Sequence, residues 1–490
     1  MKGLKRILIL VLAALLCAAM LTACIGGDGG GSGGKTNENP WEIIVADLQN
    51  ATSGRAIWIK DRQEKFAASH PEWTITHQPN PSADVSQVVQ SVVQNLQSGT
   101  NAYTVLPVTA AHYARTIYQT GLIADLQDYI AADDLAAIDP GVLKSYQKKD
   151  AIVGYPWGRD FPMIAFNKKV LAQKVRDAVI TQADVEALRT GAAMPWGDNG
   201  EMLTIRTWDG FRAFLKQLSK SGVPGFAGVA NDYYLLVGMF NIANQFRAAV
   251  QNDDGTITVD FTNDATVRTF EFLQNLQEDG SYKQSTQTAM YTTWDNFILG
   301  NFASMVFYPG WISYFEEKSM YANDFLLVNM PAGPDTLAAG ADAVPANPTF
   351  SSGFVVREKA SDAKKALAME YLDYVYGKDA LLEMMDFCVE NDIAEVFLPA
   401  HTLTAAEFDR AMAFAPADWI NPYRTAMTDS YVFDLDADGF VSYIRPYLSA
   451  IIEKDSAYKG WDAIKARLQT VNNIVYTEYL NGYNARVLAD

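Results

Sequence analysis

This chain is poor in the residues that do covalent and metal chemistry. Its 490 residues hold three cysteines and four histidines. Cys17 and Cys24 sit near the N-terminus, so Cys388 is left without a partner for a disulfide in the rest of the chain. A zinc site built on paired thiolates is excluded by the same count. His70, His77, His112 and His401 are scattered, and no H-E-x-x-H spacing brings two onto one helix face. Positive charge is also scarce: 39 Lys and Arg stand against 57 Asp and Glu, a formal net charge of −18. Lys2, Lys5 and Arg6 are the only charged residues before Cys24, so the chain from Cys24 onward carries −21. That balance argues against nucleic acid, whose phosphates demand the opposite sign, and against a polybasic membrane surface. Carboxylates are abundant, but no sequence pattern singles out a catalytic pair.

What is present begins with a leader. Three positive charges precede an uncharged apolar stretch from Ile7 to Ala19, and Leu21-Thr22-Ala23-Cys24 closes it. This is the layout of a secretory signal peptide over residues 1–23, too short for a bilayer span before it breaks into Gly-Gly-Asp-Gly-Gly. The last four residues resemble the lipobox of bacterial lipoproteins. The resemblance implies lipidation of Cys24, export, and a tether on the outer face of the cytoplasmic membrane. Residues 24–40 then read as anchor and flexible linker. Gly29 to Thr36 fits the phosphate-loop pattern G-x-x-x-x-G-K-[ST], but no strand precedes it and Asn37-Glu38-Asn39-Pro40 follows, so nothing aims its N–H groups at phosphate.

Order is expected from Trp41. Glu42–Leu48 reads as a buried strand, Arg55–Ser69 as a helix and Trp73–His77 as a strand. Ser82–Ser98 carries Val85, Val88, Val89, Val92, Val93 and Leu96 at helical spacing, and Tyr103–Val108 is the next strand. This βαβαβ order implies a parallel sheet covered by helices, hence an α/β fold. Further on, Thr207 is expected to cap a helix, Gln251–Asp260 to form a hairpin, and Ser361 to cap a helix ending at Gly377. With 49% hydrophobic and 20% charged residues the chain has enough apolar material for a large core.

Several segments in this order resemble bacterial extracellular solute-binding proteins of the family-1 type, the sugar-binding lipoproteins of ABC importers. They are Ile152-Val153-Gly154-Tyr155-Pro156 with Ile164-Ala165-Phe166-Asn167-Lys168, Thr207-Trp208-Asp209-Gly210-Phe211, Phe297 to Trp311, Met330 to Pro334, and Gly353 to Tyr374. Gly210 departs from the family's frequent Glu. The resemblance implies a two-lobed, type II periplasmic-binding-protein-like α/β fold. By the family pattern, 41–157 with 311–352 form one lobe, and 158–310 with 353–490 the other. Crossovers are expected at Pro156-Trp157, Pro309-Gly310 and Ser351-Ser352-Gly353. Ligand would lie between the lobes, beyond the strand ends.

A sugar presents apolar C–H faces and hydroxyl rims, which call for aromatic rings beside carboxylates, amides and Arg. Trp157, Arg159 and Asp160 supply these groups at one expected crossover, and Tyr308 and Trp311 at another. Trp294 and Asp295, expected just before a helix, are further ligand candidates, with Asp295 equally fit to cap that helix. Asp232 and Tyr233 sit on a polar, aromatic loop, and Gln49 and Asn50 follow the first strand. Each of these has an ordinary structural reading as a packing, turn or ion-pair residue. Asp434, Asp436 and Asp438 resemble half a calcium loop, but Arg445 stands where the bidentate Glu belongs. The expectation is therefore a monomeric, non-enzymatic, lipid-anchored receptor that delivers a carbohydrate to an ABC permease. A glycan-active enzyme and a sensor serving a membrane kinase remain the alternatives.

Overall fold

The computed structural model describes residues 39–46, 54–78, 88–97, 103–220, 222–227, 249–252, 256–283, 290–331, 347–428, 430–432, 447–448, 450–452 and 456–489. The strands that build the two main sheets are, in order, β1 (Glu42–Ala46), β2 (Thr74–Gln78), β3 (Val105–Val108), β4 (Tyr155–Asp160), β5 (Met163–Asn167), β6 (Phe226–Ala227), β7 (Tyr282–Lys283), β8 (Ser304–Phe307), β9 (Phe325–Val328), β10 (Asn347–Val356), β11 (Leu398–Pro399) and β12 (Ser430–Val432). The helices that matter most here are α1 (Gly54–Ser69), α2 (Trp208–Ser219), α3 (Asp264–Glu278), α4 (Asp362–Tyr376), α5 (Lys378–Glu390), α6 (Ala417–Thr428) and α7 (Trp461–Val475).

The first sheet runs β11-β4-β10-β3-β1-β2, with β12 pairing the start of β10. β1 pairs in parallel with β2 and β3, whereas β10 is antiparallel to both β3 and β4. Two reversals make β4 run parallel to β1–β3, so all four strands end on one edge. Both faces are covered, as the unbroken apolar run of β1 demands. Ile43 and Val45 pack with α1, α4 and α5, while Ile44 and Ala46 pack against Val92, Leu96, Ala114 and Ile117. The second sheet runs β7-β6-β8-β5-β9. In β5, Ile164 and Phe166 face the apolar stripes of α2, α3 and α7, and Met163 and Ala165 face Phe297, Phe315 and Trp419. This alternation is the period-2 signature of a strand buried on both sides.

Local signals act as the sequence implies. Thr207 accepts from the Gly210 amide at 2.9 Å, and Ser361 from Lys364 at 3.4 Å. Gly210 has a steric reason: a Cβ there would overlap the Thr204 carbonyl oxygen. The hairpin expected at Gln251–Asp260 forms from antiparallel pairing of Ala249–Gln251 with Ile257–Val259. Of the expected helix Ser82–Ser98, the described part is Val88–Gln97. Cys388 is buried in the first sheet's core, and that burial pushes its thiol up to about 12.

The expected crossovers need correction. The chain leaves the first sheet after Asp160 rather than at Pro156-Trp157, because Gly158 to Asp160 still pair with β10, and Gly158 and Arg159 also with β11. It does not return at Pro309-Gly310. β9 follows that segment, is fully buried, and pairs antiparallel with β5 in the second sheet. The return falls between Val328 and Asn347, and β10 belongs wholly to the first sheet, so Ser351-Ser352-Gly353 is no crossover. Residues after Gly353 divide: α4 and α5 pack on α1 of the first sheet, whereas α6 packs on β9 and α7 on α3. Apolar periodicity specifies that a strand is buried, but not which of two sheets buries it.

Candidate functional site

The residues singled out at the crossovers meet at the edge of the first sheet where β1, β3 and β4 end. Asp160, the last residue of β4, is the fastening. One of its oxygens accepts from the Phe161 amide at 2.8 Å and from the Tyr423 hydroxyl at 2.8 Å. The other accepts from the Gly310 amide at 3.0 Å. Tyr423 lies on α6 and Gly310 follows β8, both packed with the second sheet, so one carboxylate ties the strand that leaves the first sheet to two elements of the second. Gly310 must be glycine for this: a Cβ would stand 2.7 Å from the Asp160 oxygen. Burial pushes the Asp160 carboxyl up to about 6, against the lowering effect of its donors and of nearby Arg55.

Next to Gly310 stands an aromatic cluster. Pro309–Trp311 form a single 3₁₀ turn leaving β8, closed by the Trp311 amide on the Tyr308 carbonyl at 2.8 Å. The Trp311 ring lies 4.5 Å from Trp294 and 4.6 Å from Tyr308, centroid to centroid. Tyr314 completes the group, 4.9 Å from Trp294, and its hydroxyl donates to Asp295 at 2.9 Å. Trp294 is 3% exposed and Tyr308 4%, so both are walls. Trp311 is only partly buried and keeps part of its indole exposed. Trp294 and Asp295 lie inside the helix Met290–Ile298, not before it, so Asp295 is no cap.

Trp157 and Arg159 sit differently. Trp157 is 4% exposed and stacks on Phe397, with ring centroids 4.8 Å apart. Gly158 lets that phenyl ring lie flat on β4, since a Cβ there would overlap it. Arg159 is buried, donates to Asp139 at 2.9 Å and to the His401 carbonyl at 3.3 Å, and leaves its Nε without a partner. The stack of Trp157 and Phe397 carries a guanidinium that sequence reasoning missed. Arg55, in the first turn of α1, stands 5.5 Å from the Trp157 ring and 4.8 Å from that of Phe397, and donates to Glu395. Two signals could have found this pair. A cation in a helix's first turn opposes the helix dipole, and Glu395 is a lone charge in the apolar run Ile393 to Leu398. Gln49, Asn50, Asp232, Tyr233, Cys24 and the acidic triplet Asp434, Asp436 and Asp438 lie outside the described residues.

Two α/β sheets with helices on both faces, joined at strand ends, have a type II periplasmic-binding-protein-like fold, which the solved structures below share. Residues 62–388 match the family model described as bacterial extracellular solute-binding protein, and the chain belongs to that family, whose members work outside the cytoplasm as binding components of transporters. Among solved structures the chain is similar to UgpB from Mycobacterium tuberculosis in complex with glycerophosphocholine (17% identity, 90% of this chain and 100% of that one, TM-score 0.64). It is also similar to the cyclic alpha-maltosyl-1,6-maltose binding protein from Arthrobacter globiformis (15%, 89% and 98%, 0.63) and to the maltotriose binding protein of Thermus thermophilus bound with maltotriose (12%, 89% and 99%, 0.58). At these identities the likeness is one of fold. No protein with a curated description matches the sequence.

Proposed function

We propose that this protein is a lipid-anchored receptor that captures a carbohydrate, in particular an oligosaccharide, between its two sheets and hands it to an ABC permease. The observation that carries this reading is Trp311. Its indole stays partly open against the closed wall of Trp294 and Tyr308, with Asp295 on the neighbouring helix. An apolar plate beside acceptors is what a pyranose offers its C–H face and hydroxyls to. Two of the similar structures named above are called after maltose-type sugars, which supports the same class.

In this reading the first lobe is built from the described residues of 40–160 and 347–400 with the strand Ser430–Val432, and the second from those of 161–331, 402–428 and 447–489. They close because ligand makes contacts with both lobes that it lacks with either alone. The receptor is a monomer, held at the membrane by lipid on Cys24, and makes or breaks no bond. The test is a thermal-shift screen of the chain from Trp41 onward against neutral oligosaccharides, followed by calorimetry and product analysis. Stabilisation without turnover is the expected result. Turnover of a glycan would make the protein an enzyme, and no stabilisation by any carbohydrate would overturn the reading.

A further inference from the structure

Arg55 and Glu395 form a charged pair that neither the family likeness nor the aromatic cluster explains. Glu395 is sealed, with a side chain 2% exposed. Its Oε1 takes a guanidinium N–H of Arg55, and its Oε2 is buried without a partner. Arg55 keeps 23% of its side-chain surface. Among the described residues its hydrogen bonding stops at Glu395, and its Nε is buried without a partner. The Trp157 Nε1 beneath it is likewise buried and unpartnered. The guanidinium carbon lies within 5.5 Å of the Trp157 ring centroid and 4.8 Å of that of Phe397, and the side chain stays partly exposed while paired to Glu395. A pair kept only for stability should satisfy its hydrogen-bonding capacity, because each unmet buried group costs free energy.

Location adds the second argument. The residue after Glu395, Val396, has its carbonyl 3.8 Å from where a Gly310 Cβ would stand, and Trp311 follows Gly310. The pair therefore borders the same sheet edge as the open indole. Charge supplies the third. Arg55 is compensated by Glu395 at contact and has Asp160 nearby as a second carboxylate. A phosphate approaching Arg55 would meet two carboxylates, in a chain whose overall charge is −18. A hydroxyl meets no such penalty, and it can both accept from a guanidinium N–H and donate to a carboxylate.

We infer that Arg55, held by Glu395, is a specificity-determining donor that selects a neutral, hydroxyl-bearing end of the ligand and rejects phosphate-bearing solutes. This rests on the carbohydrate reading above and narrows it. The experiment measures dissociation constants for neutral glycans (maltotriose and a cyclic tetrasaccharide), for maltose 6-phosphate and for glycerophosphocholine, with a melting curve for every protein. Wild type is expected to prefer the neutral glycans. Arg55→Gln should weaken them on the order of tenfold or more. Glu395→Gln frees the charge of Arg55, so the preference for neutral over phosphorylated ligand should shrink about tenfold or more. If Arg55→Gln does not fold, Arg55→Lys keeps the charge and loses the planar fork, and should weaken neutral glycans in the same direction. Variants that bind with wild-type affinity and wild-type preference, and change only in melting temperature, overturn the inference and leave the carbohydrate reading intact. A wild type that prefers the phosphorylated ligands overturns the inference, and one that binds no carbohydrate of the thermal-shift screen overturns both.

Discussion

Replacing Trp311 by alanine separates binding from folding, because the structure gives Trp311 and its neighbour Trp294 different surroundings. Trp294 is buried in the core below the second sheet, and truncating such a side chain costs about 3–5 kcal/mol of stability. Trp311 is partly open, and its ring contacts include Trp294 at 4.5 Å and Tyr308 at 4.6 Å. Aromatic pairs contribute roughly 0.5–1.5 kcal/mol each beyond area burial, so these two contacts account for about 1–3 kcal/mol of the stability lost in Trp311→Ala, to which its buried area adds. In a protein of this size each kcal/mol moves the melting temperature by about 2–4 °C at most. Binding responds in the opposite proportion. Loss of a stacking plate in a desolvated site costs on the order of 2 kcal/mol or more, roughly thirtyfold in the dissociation constant. Calorimetric titration with a stabilising oligosaccharide, beside melting curves of Trp311→Ala and Trp294→Ala, measures both quantities. Unchanged affinity in Trp311→Ala, with a melting temperature as low as that of Trp294→Ala, would move Trp311 from the site into the core.

Three further outcomes are expected. Gly210→Ala, and still more Gly210→Glu, should lower the melting temperature by an amount equivalent to about 1–3 kcal/mol or more, because the added Cβ overlaps the Thr204 carbonyl oxygen; a melt equal to wild type would show that the turn can give way. Asp160 has a folded-state pKa raised to about 6 by burial, so its contribution to stability is fully present below the ordinary carboxylate pKa and is lost as pH rises through about 6. His401 is lowered to about 4, by burial first and then by Lys378 and Arg159, so its contribution is present above the ordinary histidine range and is lost as pH falls toward 4. The two slopes oppose each other in wild type. Melting temperature against pH from 4 to 7 should therefore change slope in opposite senses in Asp160→Asn and His401→Asn, and parallel profiles would contradict both assignments. Finally, Cys24→Ala should release the protein from membranes or leave its leader uncleaved, and a processed, membrane-held variant would refute the anchor.

The sequence by itself determined the class of fold and most of its local punctuation. Strand β1 reads as buried because every position from Ile43 to Ala46 is apolar, and both faces are covered. Thr207 and Ser361 cap their helices because a side-chain oxygen followed by an apolar stripe has few other uses. These signals are local, and a single residue's chemistry carries them. Tertiary structure decided which sheet each later strand joined. Phe325–Val328 is equally apolar wherever it goes, and only its pairing with β5 assigns it to the second sheet. Tertiary structure likewise decided the use of each polar residue. Asp160 became a staple because Gly310 and Tyr423, 150 and 263 residues away, bring donors to it. Arg55 and Glu395 are 340 residues apart, and nothing in either segment names the other. Composition and periodicity report what must be buried or capped nearby. Charges and rings meet across the chain only once the two sheets have closed the distance.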